Sequence, residues 1–229
     1  MPPTQAPLQI LYEDNHCLAV VKPAGWLVAG DETGDLSLLD VAKAHIKQQY
    51  SKPGDVYLGL IHRIDRPVSG VVLFARTSKA AGRLAEQFRS GSIRKVYRAI
   101  VEGLPPVAEG QLHDWLRKDE TRNVSEVVQA SAPGARECRL NFRVLISDRS
   151  QQQSMLEIVP RTGRSHQIRV QLSHQGWPIL GDRKYGAKHP FPEAIALHAF
   201  ELTFEHPTRK EPVTLRAELP AQWPKFERA

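Results

Sequence analysis

The sequence feature that most restricts the fold is a run of apolar residues at every second position from Cys138 to Ile146. A period of two predicts a β-strand that buries one face and exposes the other. Residues 71–75, Val-Val-Leu-Phe-Ala, are instead apolar at every position and predict a strand covered on both faces. The chain is therefore expected to fold around a sheet.

Helical spacing of apolar residues occurs in three segments. The first covers residues 37–50 behind Asp35 or Ser37, the second lies between Thr77 or Ser78 and Gly91, and the third covers residues 165–175. Further strands are predicted at residues 9–12, 17–22, 96–101, 155–159, 198–204 and 213–219, with a strand and loop excursion over 104–135. Because strands outnumber helices, we predict an α+β fold with a large mixed, mainly antiparallel sheet flanked by helices and loops. The predicted domain covers residues 9–229, after a flexible tail of residues 1–8.

Several classes of protein are excluded by what the sequence lacks. The longest apolar runs are about five residues, far below the roughly 18 needed to span a bilayer. The N-terminus has no basic start followed by an apolar stretch, so no secretory signal is expected. The P-loop, the dinucleotide-binding glycine motif and the His-Glu-x-x-His zinc motif are also missing. We expect a cytoplasmic monomer that contacts no membrane and uses neither a metal nor another cofactor.

Positive charge is concentrated in one part of the chain. Residues 61–100 carry nine basic and two acidic side chains, whereas the whole chain carries 31 basic and 25 acidic ones. The local excess of seven positive charges (9 − 2) therefore exceeds the net charge of +6 of the entire chain. Such a concentration favours a binding site for a polyanion, although a solvated helix face would also produce it.

Two segments combine charge with turn-forming residues. In HRIDRPVSG, residues 62–70, the carboxylate of Asp65 lies between two arginines at a turn that precedes the buried strand. In RTGRSHQIR, residues 161–169, a glycine turn opens a helix surrounded by arginines, which is a common way to hold a phosphate. Taken alone, Asp65 is also explained as a turn aspartate that neutralises its neighbours.

These motifs resemble the signature of the RluA family of RNA pseudouridine synthases. The match at HRIDRPVSG is accompanied, in the family's order, by KPAG at 22–25, RKVYRA at 94–99, TGRSHQIRV at 162–170, HQGWPILGDRKYG at 174–186 and LHA at 197–199. The resemblance covers about residues 8–220, and we expect the catalytic core alone, without the small N-terminal RNA-binding domain of some members. The family pattern usually has Thr where this chain has Val68, so we expect altered local hydrogen bonding and retained activity.

The resemblance implies an enzyme that converts a uridine in tRNA, ribosomal RNA or both into pseudouridine after flipping the nucleotide out of the RNA. It makes Asp65 the catalytic carboxylate, as nucleophile or as base, and Arg169 its ion-pair partner. Tyr97 and Ile168 would form two walls of the uracil pocket. Taken alone, Tyr97 and Ile168 are also explained as core residues, and Arg169 as a phosphate clamp.

The resemblance and the charge pattern also suggest which residues contact RNA. Arg63 is the candidate to fill the space left by the flipped base, with His62 behind it. The other predicted contacts with RNA are Arg66, Lys79, Arg83, Arg89, Arg94, Lys95, Arg164 and His166. The alternative to an enzyme is a non-catalytic RNA-binding or RNA-folding protein on the same scaffold. A small-molecule glycosidase is disfavoured because the sequence offers no clear second carboxylate.

Overall fold

The computed structural model describes residues 8–192 and 194–224, which form eleven β-strands, three α-helices and one 3₁₀ helix. The strands are β1 (Ile10–Glu13), β2 (Cys17–Lys22), β3 (Gly59–Leu60), β4 (Ser69–Ala75), β5 (Arg94–Glu102), β6 (Glu109–Asp119), β7 (Val124–Val128), β8 (Arg136–Asp148), β9 (Gln153–Pro160), β10 (Leu197–Glu205) and β11 (Pro212–Arg216). The helices are α1 (Leu38–Gln49), α2 (Ser78–Ser90) and α3 (Gln167–His174), and the 3₁₀ helix is Arg183–Tyr185. The predicted α+β class with mainly antiparallel strand pairing is confirmed.

The chain divides into two compact units. The first comprises residues up to Lys95 together with Ala199–Leu219, and the second comprises Val96–His198 and the residues from Pro220 onward. The predicted tail, residues 1–8, lies outside the described residues except for Leu8, and the single domain over 9–229 stays a prediction. None of the three α-helices in the described part of the chain combines the length and the hydropathy needed to cross a bilayer.

In the first unit, β4 lies at the centre of the sheet. The spatial order is β1-β2-β4-β10, β11 pairs with β10, and β3 also pairs with β4. All seven residues of β4 are buried. On one face, Val71 and Leu73 pack with Ala80 and Leu84 of α2. The other face is also covered, since Phe74 is fully buried, and this explains why residues 71–75 of the strand are all apolar.

Both helices of the first unit begin at hydroxyl caps. Ser37 caps α1 and forms a reciprocal capping box with Asp40. Thr77 caps α2, which ends at Gly91 in the left-handed region (φ 73°). The structure thus selects Ser37 over Asp35, and Thr77 over Ser78, from the alternatives that the sequence left open.

The second unit is a sheet in the order β5-β9-β8-β6-β7. Strand β8 shows the predicted alternation, and its buried Cys138 packs with Leu116 of β6 and Val170 of α3. The predicted strand and loop excursion over 104–135 contains two paired strands, β6 and β7. Helix α3 begins later than the predicted residue 165, because His166 adopts a left-handed conformation (φ 53°) that a helix cannot include.

Candidate active site

Asp65 lies in a turn between β3 and β4. The Val68 amide donates to the Asp65 carbonyl at 3.0 Å and closes the turn. Ile64 and Val68 are buried on either side, whereas Asp65 is only half-buried. The apolar neighbours therefore anchor the turn, while Asp65 itself stays only partly buried. Because Val68 is buried, its apolar side chain leaves no hydroxyl to satisfy at the position where the family pattern has Thr.

The turn enters β4 through Gly70, where only glycine fits. Its φ is 119°, and an added Cβ would lie 2.3 Å from the carbonyl oxygen of Ala199 in β10. A side chain at this position would therefore collide with the backbone of the neighbouring strand. The close approach of the two strands fixes where β4 begins, and with it the end of the turn that carries Asp65.

Lys22, at the end of β2, is fully buried beneath the same turn. Its Nζ donates to the carbonyls of Pro23 (3.0 Å), Trp26 (2.7 Å) and Arg66 (2.9 Å). Burial lowers the pKa of Lys22 to about 7, with the Asp65 carboxylate acting in the opposite direction. One ammonium group thus joins the loop after β2 to the turn that presents Asp65.

Arg63 and Arg66 flank Asp65 and are both exposed, but they differ in their partners. The Arg66 guanidinium donates to the Gly25 carbonyl at 3.0 Å and forms an ion pair with Asp35 at 2.7 Å. The Arg63 side chain has no hydrogen-bond or ion-pair partner within residues 8–192 and 194–224. Of the two, Arg63 is therefore the one available to an incoming ligand.

His62 supports the turn from inside the first unit. Its Nε2 accepts a hydrogen bond from the Leu73 amide at 3.0 Å, and its ring stacks on Phe88 with centroids 4.6 Å apart. Burial, and then the charge of Lys95, lower the pKa of His62 to about 3, so the imidazole is neutral. Lys95 is itself half-buried, which lowers its pKa. The RNA contacts predicted for His62 and Lys95 stay predictions.

In the second unit, Arg169 is buried in a bidentate ion pair that the sequence did not indicate. Its Nε and a terminal nitrogen donate to the two carboxylate oxygens of Asp182, at 2.6 and 2.9 Å. The guanidinium also lies over the Tyr185 ring, 5.0 Å from its centroid. The plane of the Arg169 guanidinium is therefore fixed by residues of its own unit.

Arg164 and His166 belong to the loop that precedes α3. His166 Nδ1 lies 2.7 Å from the Tyr185 hydroxyl. The Gln167 side-chain carbonyl accepts from the Arg164 amide at 3.0 Å and from the Thr162 hydroxyl at 2.7 Å. These contacts hold the loop in a defined shape and leave the Arg164 side chain exposed.

Tyr97 and Ile168, the predicted walls of a base pocket, both belong to the second unit. Tyr97 lies in β5 opposite Ile158 of β9 and is half-buried. Ile168 lies in the first turn of α3 and is 7% exposed. Each is thus supported by its own unit, and their roles at a uracil ring stay predictions.

The predicted residues fall into two groups, one in each unit. The first unit holds His62, Arg63, Asp65, Arg66 and Lys95, and the second holds Tyr97, Arg164, His166, Ile168 and Arg169. Sequence reasoning gave no role in the site to Lys22, Asp35, Asp182 or Tyr185. Lys22 lies in the family-like segment 22–25, and Asp182 and Tyr185 lie in the family-like segment 174–186. Their place in these segments was the only signal that pointed to them.

Asp14, Cys17 and His206 form a compact group of potential metal ligands in the first unit, with ligand atoms within 4.8 Å of one another. The Asp14 carboxylate, however, already accepts from two backbone amides, from His206 Nε2 and from the Tyr12 and Arg209 side chains. Burial raises the pKa of the Cys17 thiol to about 12, so it remains protonated. The group therefore fits a hydrogen-bonded junction between two turns better than a metal site.

These features define the class of protein: an α+β enzyme fold that presents one carboxylate on an anchored turn among basic side chains. The profile described as RNA pseudouridylate synthase matches residues 16–174. The chain belongs to the RNA pseudouridylate synthase family, whose members are isomerases.

Named relatives agree with this assignment. The tRNA pseudouridine synthase C of Pectobacterium carotovorum is 31% identical over 94% of this chain, which spans only 60% of that relative. Ribosomal large subunit pseudouridine synthase D of Zymomonas mobilis is 35% identical over 95% of this chain and 71% of the relative. The solved structure of human RNA Pseudouridylate Synthase Domain Containing 4 has a TM-score of 0.78 and 25% identity, covering 93% of this chain and 89% of that one.

Proposed function

We propose that the chain isomerises a uridine of tRNA or ribosomal RNA to pseudouridine, with Asp65 as the catalytic carboxylate. The observation that carries the proposal is a half-buried carboxylate on an anchored turn, in a chain of the RNA pseudouridylate synthase family. The names of the relatives, one a tRNA enzyme and one a ribosomal RNA enzyme, support both classes of RNA. We also propose that the enzyme acts as a cytoplasmic monomer without a metal or another cofactor.

The reaction breaks the bond between N1 of uracil and C1′ of the ribose, turns the base and joins its C5 to C1′. A proton leaves C5 and one is gained at N1, so the composition is unchanged and no electrons are transferred. A carboxylate stabilises or captures the developing sugar cation, or removes a proton from the sugar. Both roles require Asp65 to be ionised and held in position. The hydrogen bonds from Lys22 to the Arg66 carbonyl and from the Val68 amide to the Asp65 carbonyl support its position.

In this proposal, the other predicted residues contact the target uridine, Asp65 or the surrounding RNA. Tyr97 stacks on the target uracil and assists late proton transfer, and Ile168 provides a second apolar wall. Arg169 keeps Asp65 ionised. Arg63, exposed and unpartnered within the described residues, enters the space that the flipped nucleotide leaves. The remaining proposed contacts with RNA are His62, Lys95, Arg164 and His166.

Tritium release from RNA carrying 5-tritiated uridine tests the proposal, because C5 loses its proton during isomerisation. The unchanged chain is compared with Asp65→Asn and with Asp55→Asn, an exposed aspartate outside the turn. We expect release from tRNA or ribosomal RNA transcripts by the unchanged chain and by Asp55→Asn, and none by Asp65→Asn, with RNA affinity nearly intact in all three.

Two results would contradict the proposal. If Asp65→Asn lost RNA affinity together with release, the residue would be a binding group. If the unchanged chain bound RNA but released no tritium from either class, the non-catalytic RNA-binding alternative would be favoured.

A further inference from the structure

We propose that Asp35 neutralises Arg66, so that Arg66 ties down the turn carrying Asp65 and does not contact a phosphate, while Arg63 is left to meet the RNA. This inference rests on the proposed function, because it concerns how the same turn receives its substrate. It gives Arg66 a positioning role in place of the RNA contact predicted from the sequence.

Both the side chain and the backbone carbonyl of Arg66 already have hydrogen-bond partners within the protein. Its side chain donates to the Gly25 carbonyl at 3.0 Å and to the Asp35 carboxylate at 2.7 Å. Its backbone carbonyl accepts from the Gly25 amide at 2.8 Å and from Lys22 Nζ at 2.9 Å. Arg66 thus joins the turn, the loop after β2 and the segment that contains Asp35. A phosphate that bound this guanidinium would have to displace a carboxylate.

The segment that supplies Asp35 is acidic throughout. Residues 29–36 contain Asp31, Glu32 and Asp35 and no basic residue. The hydroxyl and the amide of Thr33 hold the pKa of Asp31 below its usual value, and Arg66 and Arg63 act in the same direction. The acidic segment therefore lies close enough to influence both arginines, and it repels a polyanion from its own side of the turn.

The ion pair itself is exposed, with Arg66 and Asp35 side chains 45% and 36% accessible. Exposed pairs contribute little to stability, so a variant at Asp35 is expected to fold. What the pair changes is the charge that the turn presents. With Arg66 neutralised, Arg63 is the net cation beside Asp65, and it is the residue proposed to enter the RNA.

The salt dependence of RNA binding measures this directly, because each phosphate contact contributes about 0.7–0.9 to the slope of log affinity against log salt. The probe is one tRNA transcript, chosen because the chain binds it and whether or not it releases tritium, titrated between 50 and 200 mM salt with the unchanged chain, Arg66→Ala, Asp35→Asn and the double variant. We expect Arg66→Ala to leave the slope unchanged. Asp35→Asn frees Arg66 to contact a phosphate, so RNA affinity should fall about threefold more between 50 and 200 mM salt than it does for the unchanged chain. In the double variant, Arg66→Ala should abolish this additional fall.

Glu205→Gln is the matched control, because it removes one carboxylate from another exposed ion pair of the same unit, Lys210–Glu205. We expect it to leave the slope unchanged. In turnover assays, Arg66→Ala should lower kcat more than it raises KM, because the turn loses its side-chain bonds to Gly25 and Asp35 while the RNA loses no contact.

The inference is overturned if Arg66→Ala alone lowers the slope by one contact, since Arg66 would then bind a phosphate. It is also overturned if Glu205→Gln steepens the slope as much as Asp35→Asn does, since net charge would then explain the effect. Tritium release by the unchanged chain tests the proposed function separately. Binding without release would reject the proposed function and leave the comparison of slopes intact.

Discussion

Replacing Lys22 by methionine tests whether one buried ammonium group holds the turn beneath Asp65. Lys22 is fully buried, and its three acceptors are the backbone carbonyls of Pro23, Trp26 and Arg66. Methionine preserves much of the apolar stem but donates no hydrogen bond. The substitution therefore removes a buried charge and at the same time leaves three carbonyls without their donor.

The pKa of Lys22 sets the size of the effect. Hydrogen bonds from a charged donor contribute about 1.5–3 kcal/mol each, and burial of an ammonium group costs several kcal/mol. Burial lowers the pKa of Lys22 from 10.5 to about 7. Between these values the unfolded chain binds more protons than the folded chain, so stability rises with pH across the window. The full difference, 10.5 − 7 at 1.36 kcal/mol per pH unit, amounts to at most about 5 kcal/mol.

Urea denaturation followed by tryptophan fluorescence, repeated between pH 6 and pH 10.5, measures this contribution. We expect the unfolding free energy of the unchanged chain to rise relative to that of Lys22→Met across this window, and Lys22→Met to lower tritium release. Lys47→Met, at an exposed position of α1, should follow the unchanged chain. Parallel pH profiles for the unchanged chain and Lys22→Met would refute the reasoning.

Three further substitutions test other parts of the structure. Asp14→Asn should lower the unfolding free energy by about 2 kcal/mol at pH 7. Burial acts to raise the pKa of Asp14, but its amide and side-chain hydrogen bonds outweigh burial and lower it, so the variant should lose less stability than the unchanged chain below about pH 4. The unfolding free energies from urea titrations at pH 7 and pH 3 should therefore differ less in the variant than in the unchanged chain. Gly82→Ala should stabilise α2 by about 0.5–1 kcal/mol, since the new Cβ meets no atom within 4 Å, and an unchanged or lower thermal midpoint would contradict this. Asp182→Asn should destabilise the chain by about 3 kcal/mol in urea, because buried Arg169 loses the charge of a carboxylate that accepts two of its hydrogen bonds, and a loss below 1 kcal/mol would show that Arg169 is not held by that charge.

The parts of the fold that the sequence predicted correctly are those with a complete local signal. Residues 71–75 of β4 are all apolar because both faces of the strand are buried, and α2 begins at a hydroxyl cap and ends at a glycine. Strand β6 lacked such a signal. Only Leu112 and Leu116 are buried in it, four residues apart, and the positions between them are polar, half-buried or exposed. Its pairing with β7 and β8 is therefore a property of the tertiary structure rather than of its own pattern.

The start of α3 was placed too early for a related reason. The helix was predicted from residue 165 on the helical spacing of Ile168 and Leu172, but His166 has a positive φ and contacts Tyr185 through its side chain. Periodicity reports which side chains face the core and carries no information about a single left-handed residue. Non-glycine residues in this conformation are uncommon, and one of the six in the described part of the chain lies in the loop that carries the predicted RNA-binding Arg164.

The residues of the site that sequence reasoning missed act through partners distant in the chain. Lys22 bonds to backbone carbonyls, which every residue possesses, and its partner Arg66 is 44 residues away. Asp35 and Arg66 are 31 residues apart, and Arg169 and Asp182 are 13 apart. A motif identifies the residues that chemistry requires, whereas the residues that position them are defined only once the chain has folded.

Two contacts hold the Asp65 turn, the hydrogen bonds of Lys22 and the Asp35–Arg66 ion pair, and they differ in burial. This difference predicts that their loss has different effects. Lys22 is desolvated, so its hydrogen bonds are strong and their loss should lower stability and kcat together. The Asp35–Arg66 pair is exposed, so water and salt weaken it, and its loss should alter mainly the charge that the RNA encounters. Variants at Lys22 and Asp35 should therefore separate in two measurements: Lys22→Met changes kcat and leaves the salt slope unchanged, whereas Asp35→Asn steepens the slope at nearly constant stability. If both variants changed both quantities alike, the turn would be a single cooperative unit and burial would not distinguish its two contacts.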